Sequence, residues 1–113
     1  MYFIANWKMF GTVKSVNSLN KVISYSKTKK HKAKIIYCPP YTLIKSFVDK
    51  TKNSNIEIGA QDCHSEQNYG PFTGAISSKM IKDLGGKFVI IGPSETRAAV
   101  SYTHLTLPTM IRV

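Results

Sequence analysis

The stretch Ile35-Ile-Tyr-Cys-Pro-Pro-Tyr-Thr-Leu-Ile-Lys-Ser-Phe-Val48, followed after a polar interval by Ile56-Glu-Ile-Gly-Ala60, decides the fold. Its two ends, Ile35–Cys38 and Ile56–Ala60, are short apolar runs rich in isoleucine that do not alternate strictly with polar residues. That is the pattern of strands covered on both faces, as in a parallel sheet. Between them, after Pro39-Pro40, residues Leu43, Ile44, Phe47 and Val48 recur at helical spacing and make one apolar stripe. Strand, helix and strand in this order make a right-handed crossover onto a parallel neighbour.

The same grammar extends both ways. Upstream, Tyr2–Ala5 reads as a strand, and Val13, Val16, Leu19, Val22 and Ile23 repeat as a helical stripe with Thr12 available as its cap. Downstream, a third helix is expected from Ser77 or Ser78, burying Met80, Ile81 and Leu84 and stopping at Gly85-Gly86. A fourth strand, Phe88–Ile91, follows. The order βαβαβαβ predicts an α/β fold with a parallel sheet.

Composition narrows the function classes. The chain of 113 residues suits one domain, and 42% hydrophobic with 11% aromatic residues excludes a disordered composition. No apolar run approaches the roughly 18–20 residues that span a bilayer, so no membrane partner is expected. Met1 leads into Tyr2-Phe3-Ile4-Ala5 without a basic n-region; a cytoplasmic location is expected rather than export. Cys38 and Cys63 have neither CxxC nor metal-ligand spacing and read as free thiols, with no cofactor implied. Ten lysines against the single acid Asp49 between Lys14 and Lys52 help make the net charge +10. Clustered cations could mark a nucleic-acid footprint. That cluster holds no arginine, the side chain suited to bidentate phosphate recognition, and its lysines spread over expected helix surfaces and the connection Lys27-Thr-Lys-Lys-His-Lys32. A solvated face is the preferred reading over nucleic acid.

The end of the chain departs from this pattern. From Met1 to Thr96 there are fourteen lysines and no arginine, whereas Arg97 and Arg112 lie beyond, and no acid follows Glu95. Ala98–Thr109 has neither helical capping nor a helical stripe, and its alternation through Tyr102, His104 and Thr106 makes at most a weak strand. A compositional boundary is placed between Gly92 and Arg97.

Chemistry in α/β folds collects at the C-terminal ends of strands. After the first strand comes Asn6-Trp7-Lys8; in an extended segment Asn6 and Lys8 would share a side. A lysine ammonium there could bind a phosphate or stabilise an oxyanion, with Asn6 orienting it or donating its own bond. An isolated Asn-x-Lys is more often a strand end with an exposed lysine. After the third strand a polar loop of about sixteen residues runs from Gln61 through Gly70-Pro-Phe-Thr-Gly74, long enough to suggest function. Asp62, Cys63 and His64 are adjacent and cannot converge on one ion without backbone strain, so no metal is expected. Glu95, past the fourth strand, suits either proton chemistry or a dipole role at a helix start, the latter preferred on its own.

Taken together, Ala5-Asn-Trp-Lys-Met9, Tyr37-Cys-Pro-Pro-Tyr41, Gly59-Ala-Gln-Asp62, Gly70-Pro-Phe-Thr-Gly-Ala-Ile-Ser77 and Phe88-Val-Ile-Ile-Gly92 resemble the triosephosphate isomerase family in order and spacing, over about residues 1–96. The resemblance implies a partial (β/α)₈ TIM barrel, roughly its first three and a half βα units, since the family barrel has about 250 residues. It implies interconversion of dihydroxyacetone phosphate and D-glyceraldehyde 3-phosphate through an enediolate, in glycolysis and gluconeogenesis, without a cofactor. Triosephosphate isomerase is itself the standing illustration of a glutamate base working beside a neutral histidine electrophile. By that resemblance Lys8 is the catalytic cation and also binds substrate, and Asn6 supports it. Thr73 reaches the partner's active site in the family homodimer, and Glu95 is the glutamate just after the electrophile. Two departures matter. Pro93 stands where the family has the histidine, and proline carries no side-chain donor. The family's base and mobile lid come from a second half that this sequence does not contain. Residues 97–113 do not follow the family and read as a foreign tail, the kind that translated adapter DNA produces.

Three hypotheses follow: an inactive fragment of a triosephosphate isomerase, a fragment that offers its Gln61–Gly74 loop to a full-length subunit, and a non-enzymatic basic α/β module that binds a polyanion. They rank in that order.

Overall fold

The computed structural model describes residues 1–28, 34–91 and 109–113. The end of the lysine-rich connection, Pro93, Glu95, the boundary between Gly92 and Arg97 and the stretch Ala98–Pro108 lie outside the described residues. Four strands, β1 (Tyr2–Asn6), β2 (Lys34–Cys38), β3 (Ile56–Ala60) and β4 (Phe88–Ile91), form a curled sheet in sequence order. They are parallel, with Ala5 opposite Tyr37, Tyr37 opposite Ile58 and Gly59 opposite Phe88. All four expected runs are strands, and the sheet is the open half of a barrel.

Period-two alternation explains why the runs are apolar throughout. Ile35, Ile56, Ile58, Ala60 and Val89 face a helix layer built from Leu19, Leu43, Ile44, Phe47 and Ile81. Their neighbours Ile36, Cys38, Phe88 and Ile90 turn to the other face and pack together on the inside of the curl. Strand β4 approaches β3 so closely that a Cβ on Gly59 would sit 2.8 Å from the Phe88 carbonyl oxygen and 3.1 Å from Cys38 Sγ.

The helices are α1 (Leu19–Ser26), α2 (Tyr41–Thr51) and α3 (Ser78–Asp83). The stripe on α2 is buried as expected, with Ile44 and Phe47 fully inaccessible. Before α1, however, residues Val13–Ser18 form a 3₁₀ helix and not the first turns of one α-helix. Thr12 does open it, its N–H donating to Ser15 Oγ at 2.8 Å. Serines that bond the local backbone compete with the α ladder, and Ser18 Oγ donates to the Ser15 carbonyl at 2.7 Å. Helix α3 starts where expected, with Ser77 Oγ accepting from the Met80 N–H. It is short, so only Ile81 is fully buried, while Met80 is 38% exposed and not part of the core.

A further strand corrects the expected count. Strand β5 (Thr109–Arg112) pairs antiparallel with β4, setting Val89 opposite Ile111 and Ile90 opposite Met110. The strand begins just beyond Pro108, where a missing N–H costs the ladder least; the alternation through Tyr102, His104 and Thr106 lies outside the described residues. Met110 packs on the inner cluster, and Arg112 lies 3.8 Å from Glu57, which also pairs with Lys34 at 2.8 Å.

Candidate active site

At the C-terminal end of β1 the chain leaves the sheet through Trp7. Its N–H donates to the Cys38 carbonyl at 3.0 Å, continuing the β1–β2 ladder by one bond. The indole turns into the helix-side core, edge-on to Phe47 at 5.0 Å and to Tyr37 at 6.1 Å. With Trp7 fixed inward, Asn6 and Lys8 are left at the exposed rim. Gly11 completes the turn at φ +115°; a Cβ there would meet Leu43 at 2.8 Å and the indole at 3.3 Å.

Lys8 does not continue the extended backbone that would set it on the same side as Asn6. Its φ is +55°, in the left-handed region, the one non-glycine of the described residues to adopt it. The two residues are brought together differently. The Lys8 N–H donates to Asn6 Oδ1 at 2.9 Å, so the Asn6 carboxamide keeps its NH₂ end for a ligand oxygen. Gln61, just past β3, donates through Nε2 to the Lys8 carbonyl at 2.7 Å and to the Cys38 carbonyl at 3.0 Å. The ends of β1, β2 and β3 are thus tied by one side chain. No role was read for Gln61 from the sequence, although it lies within the quoted Gly59–Asp62 motif.

The long loop between β3 and α3 is pinned at several points. Tyr41 donates its hydroxyl proton to the Asp62 carbonyl at 2.6 Å. His64 donates its N–H to the Ile76 carbonyl at 2.8 Å, accepts at Nδ1 from the Glu66 N–H at 2.9 Å, and stacks on Phe72 at 4.3 Å. All its polar positions that these bonds engage serve loop structure. Thr73 lies at an exposed turn closed by the Ala75 N–H on the Phe72 carbonyl at 3.1 Å, with Gly74 at φ +83° supplying the position a type II turn requires. Burial raises the Cys38 thiol to about 12, while the Gly59 backbone bond pulls the other way. Cys63 is also raised, by burial and then by the Asp62 carboxylate. Neither thiol is poised as a nucleophile.

The structure therefore joins Asn6 and Lys8 at one strand end, places Thr73 on a separate loop, and leaves Pro93 and Glu95 outside the described residues. The triosephosphate isomerase family profile matches residues 1–111. The chain belongs to the triosephosphate isomerase family. The match runs past the compositional boundary seen near residue 96. Among its relatives, the triosephosphate isomerase of Clostridium botulinum (strain Loch Maree / Type A3) is 40% identical over 102 residues, covering 90% of this chain and 40% of the relative. That of the Wolbachia of Brugia malayi is 42% identical over 96 residues, covering 81% of this chain and 38% of the relative. The crystal structure of triosephosphate isomerase from Bartonella henselae superposes with a TM-score of 0.78 at 36% identity, covering 92% of this chain and 41% of that one. The chain thus spans about 40% of the length of the relatives it matches.

Proposed function

We propose that this stretch belongs to an enzyme interconverting dihydroxyacetone phosphate and D-glyceraldehyde 3-phosphate, and that the 113-residue chain by itself does not turn over. The observation carrying the reading is the Asn6–Lys8 pair at the C-terminal end of β1, held by side chains from two strands, in a chain of this family. Lys8 supplies the fixed positive charge that binds the substrate phosphate and offsets the charge developing on the enediolate. Asn6 holds the backbone that carries it. Glycolysis and gluconeogenesis, a cytoplasmic location and a homodimer contacted through Thr73 come with the same reading.

Proton transfer between adjacent carbons needs a base and an electrophile, each contributing about 10²–10⁴-fold. Proline stands at the electrophile position, and no acid of this sequence matches the family's base. Residues 97–113 are proposed to be a tail foreign to the enzyme, attached to the family portion 1–96. A coupled assay should show no turnover for the chain as written, nor after Pro93→His. A hybrid carrying residues 1–91 in place of the matching stretch of the Clostridium relative should be active, and should lose about 10²-fold or more with Lys8→Ala. A folded but inactive hybrid, or one indifferent to Lys8→Ala, would sink the proposal.

The alternative, a polyanion-binding module, draws on the +10 charge. Lys45 on α2 and Lys52 just past its end are engaged locally, lying 3.2 and 3.8 Å from Asp49, which favours a solvated helix face. Association with DNA whose salt slope counts several phosphates would support this alternative instead.

A further inference from the structure

We infer that Gln61 is a positioning residue for Lys8: by donating to the Lys8 carbonyl it holds that residue in the left-handed backbone conformation that aims its ammonium. The inference rests on the reading of Lys8 as the cation that binds the substrate anion, and concerns what keeps it there. Left-handed φ is unfavourable for a residue with a Cβ, and a lysine side chain offers no local hydrogen bond to offset it as an asparagine would. Such strain persists only where the surroundings over-determine the backbone. Here both sides of the Lys8 Cα are held. On one side the N–H is bonded to Asn6 Oδ1 at 2.9 Å; on the other the C=O is bonded to Gln61 Nε2 at 2.7 Å. Fixing both peptide groups fixes φ and ψ together.

The two anchors differ in reach. Asn6 is two residues from Lys8 and moves with it, so alone it secures a local turn and no position in the molecule. Gln61 comes from 53 residues away and uses its second N–H on the Cys38 carbonyl at 3.0 Å. It thereby references Lys8 to the ends of β2 and β3. A carboxamide is suited to this, because its two N–H groups diverge from one nitrogen and can bridge two carbonyls. Gln61 is half-buried, and its bond to the Cys38 carbonyl is the more sheltered of the two, so that bond fixes the carboxamide while the bond to Lys8 lies at the exposed rim.

Substitution Gln61→Glu keeps the length and removes both donors. In the full chain, two readouts separate the roles. The three-bond HN–Hα coupling and Cα shift of Lys8 report its backbone, and titration with inorganic phosphate, followed by amide shifts, reports anion binding. In the variant Lys8 should leave the left-handed region and phosphate affinity should fall about tenfold, while the thermal midpoint changes little. The introduced carboxyl can donate one bond when protonated, so the Lys8 coupling should return in part as pH falls through its pKa. Should the new charge unsettle the fold, Gln61→Met makes the same comparison without it. A Lys8 backbone that remains left-handed in the folded variant overturns the inference. Retained geometry loss without any phosphate binding, in the parent or the variant, sinks the reading of Lys8 and leaves the positioning role standing.

Discussion

Lys8 and Cys38 show how differently two residues at neighbouring strand ends are used. One is exposed, left-handed and held by Asn6 beside it and by Gln61 from far along the chain. The other is wholly buried on the inner face, where desolvation raises its thiol to about 12 from 9.0. The folded state therefore retains the Cys38 proton at pH values where the unfolded chain has lost it. Stability from this group is complete below about pH 9 and declines as pH rises from 9 toward 12, by about 1 kcal/mol per pH unit. Denaturation midpoints measured from pH 8 to 10.5 should fall, and Cys38→Ala, though less stable throughout, should fall less steeply. Equal slopes would show that Cys38 ionises freely in the fold. Strand-end placement made Asn6 and Lys8 legible in the sequence. Gln61 was not, because its partners are backbone carbonyls of residues far off in the chain, and any residue type could have supplied those carbonyls.

At the scale of elements, legibility followed burial on both faces. Ile35–Cys38 and Ile56–Ala60 read as parallel strands because Ile36 and Cys38 need cover as much as Ile35 and Ile58 do. The expected Met80 contact failed because α3 has six residues and turns one side chain, Ile81, fully into the core. Strand β5 was not legible in the sequence because four residues carry little periodicity of their own, and their pairing is set by the open edge of β4. Alternation now makes a test. Met110 faces the inner cluster with Ile36, Cys38, Phe88 and Ile90, whereas Ile111 is 44% exposed. Met110→Asp buries a carboxylate among apolar groups and should cost about 2 kcal/mol or more. Ile111→Asp should cost much less. Denaturant midpoints give the comparison directly. Two variants equal to the parent would mean that the tail contributes nothing to the sheet.

For the molecule as a whole, the half barrel leaves edges that a closed one does not have. Closure needs strands tilted and staggered around a full circuit, and β1 is paired on one side alone among the described residues, with β2. Tyr2, Phe3 and Ile4 on that strand are 59%, 57% and 46% exposed, and Met9 and Phe10 beyond it are more so. An apolar strand with an open edge is a template for another chain. The +10 charge opposes such contact at long range, but salt shortens that reach from about 20 Å at about 20 mM to under 6 Å at about 300 mM. Self-association should therefore grow with both protein concentration and salt, the reverse of what binding through charge would show. Sedimentation velocity across that salt range provides the measurement, and Phe3→Lys, which places a charge on the edge strand, should shift the distribution back toward monomer. A monodisperse monomer with a sharp cooperative melt at every salt concentration would mean that the edge is covered. The segment that joins β4 to β5 would then be the part of the chain to examine by hydrogen exchange.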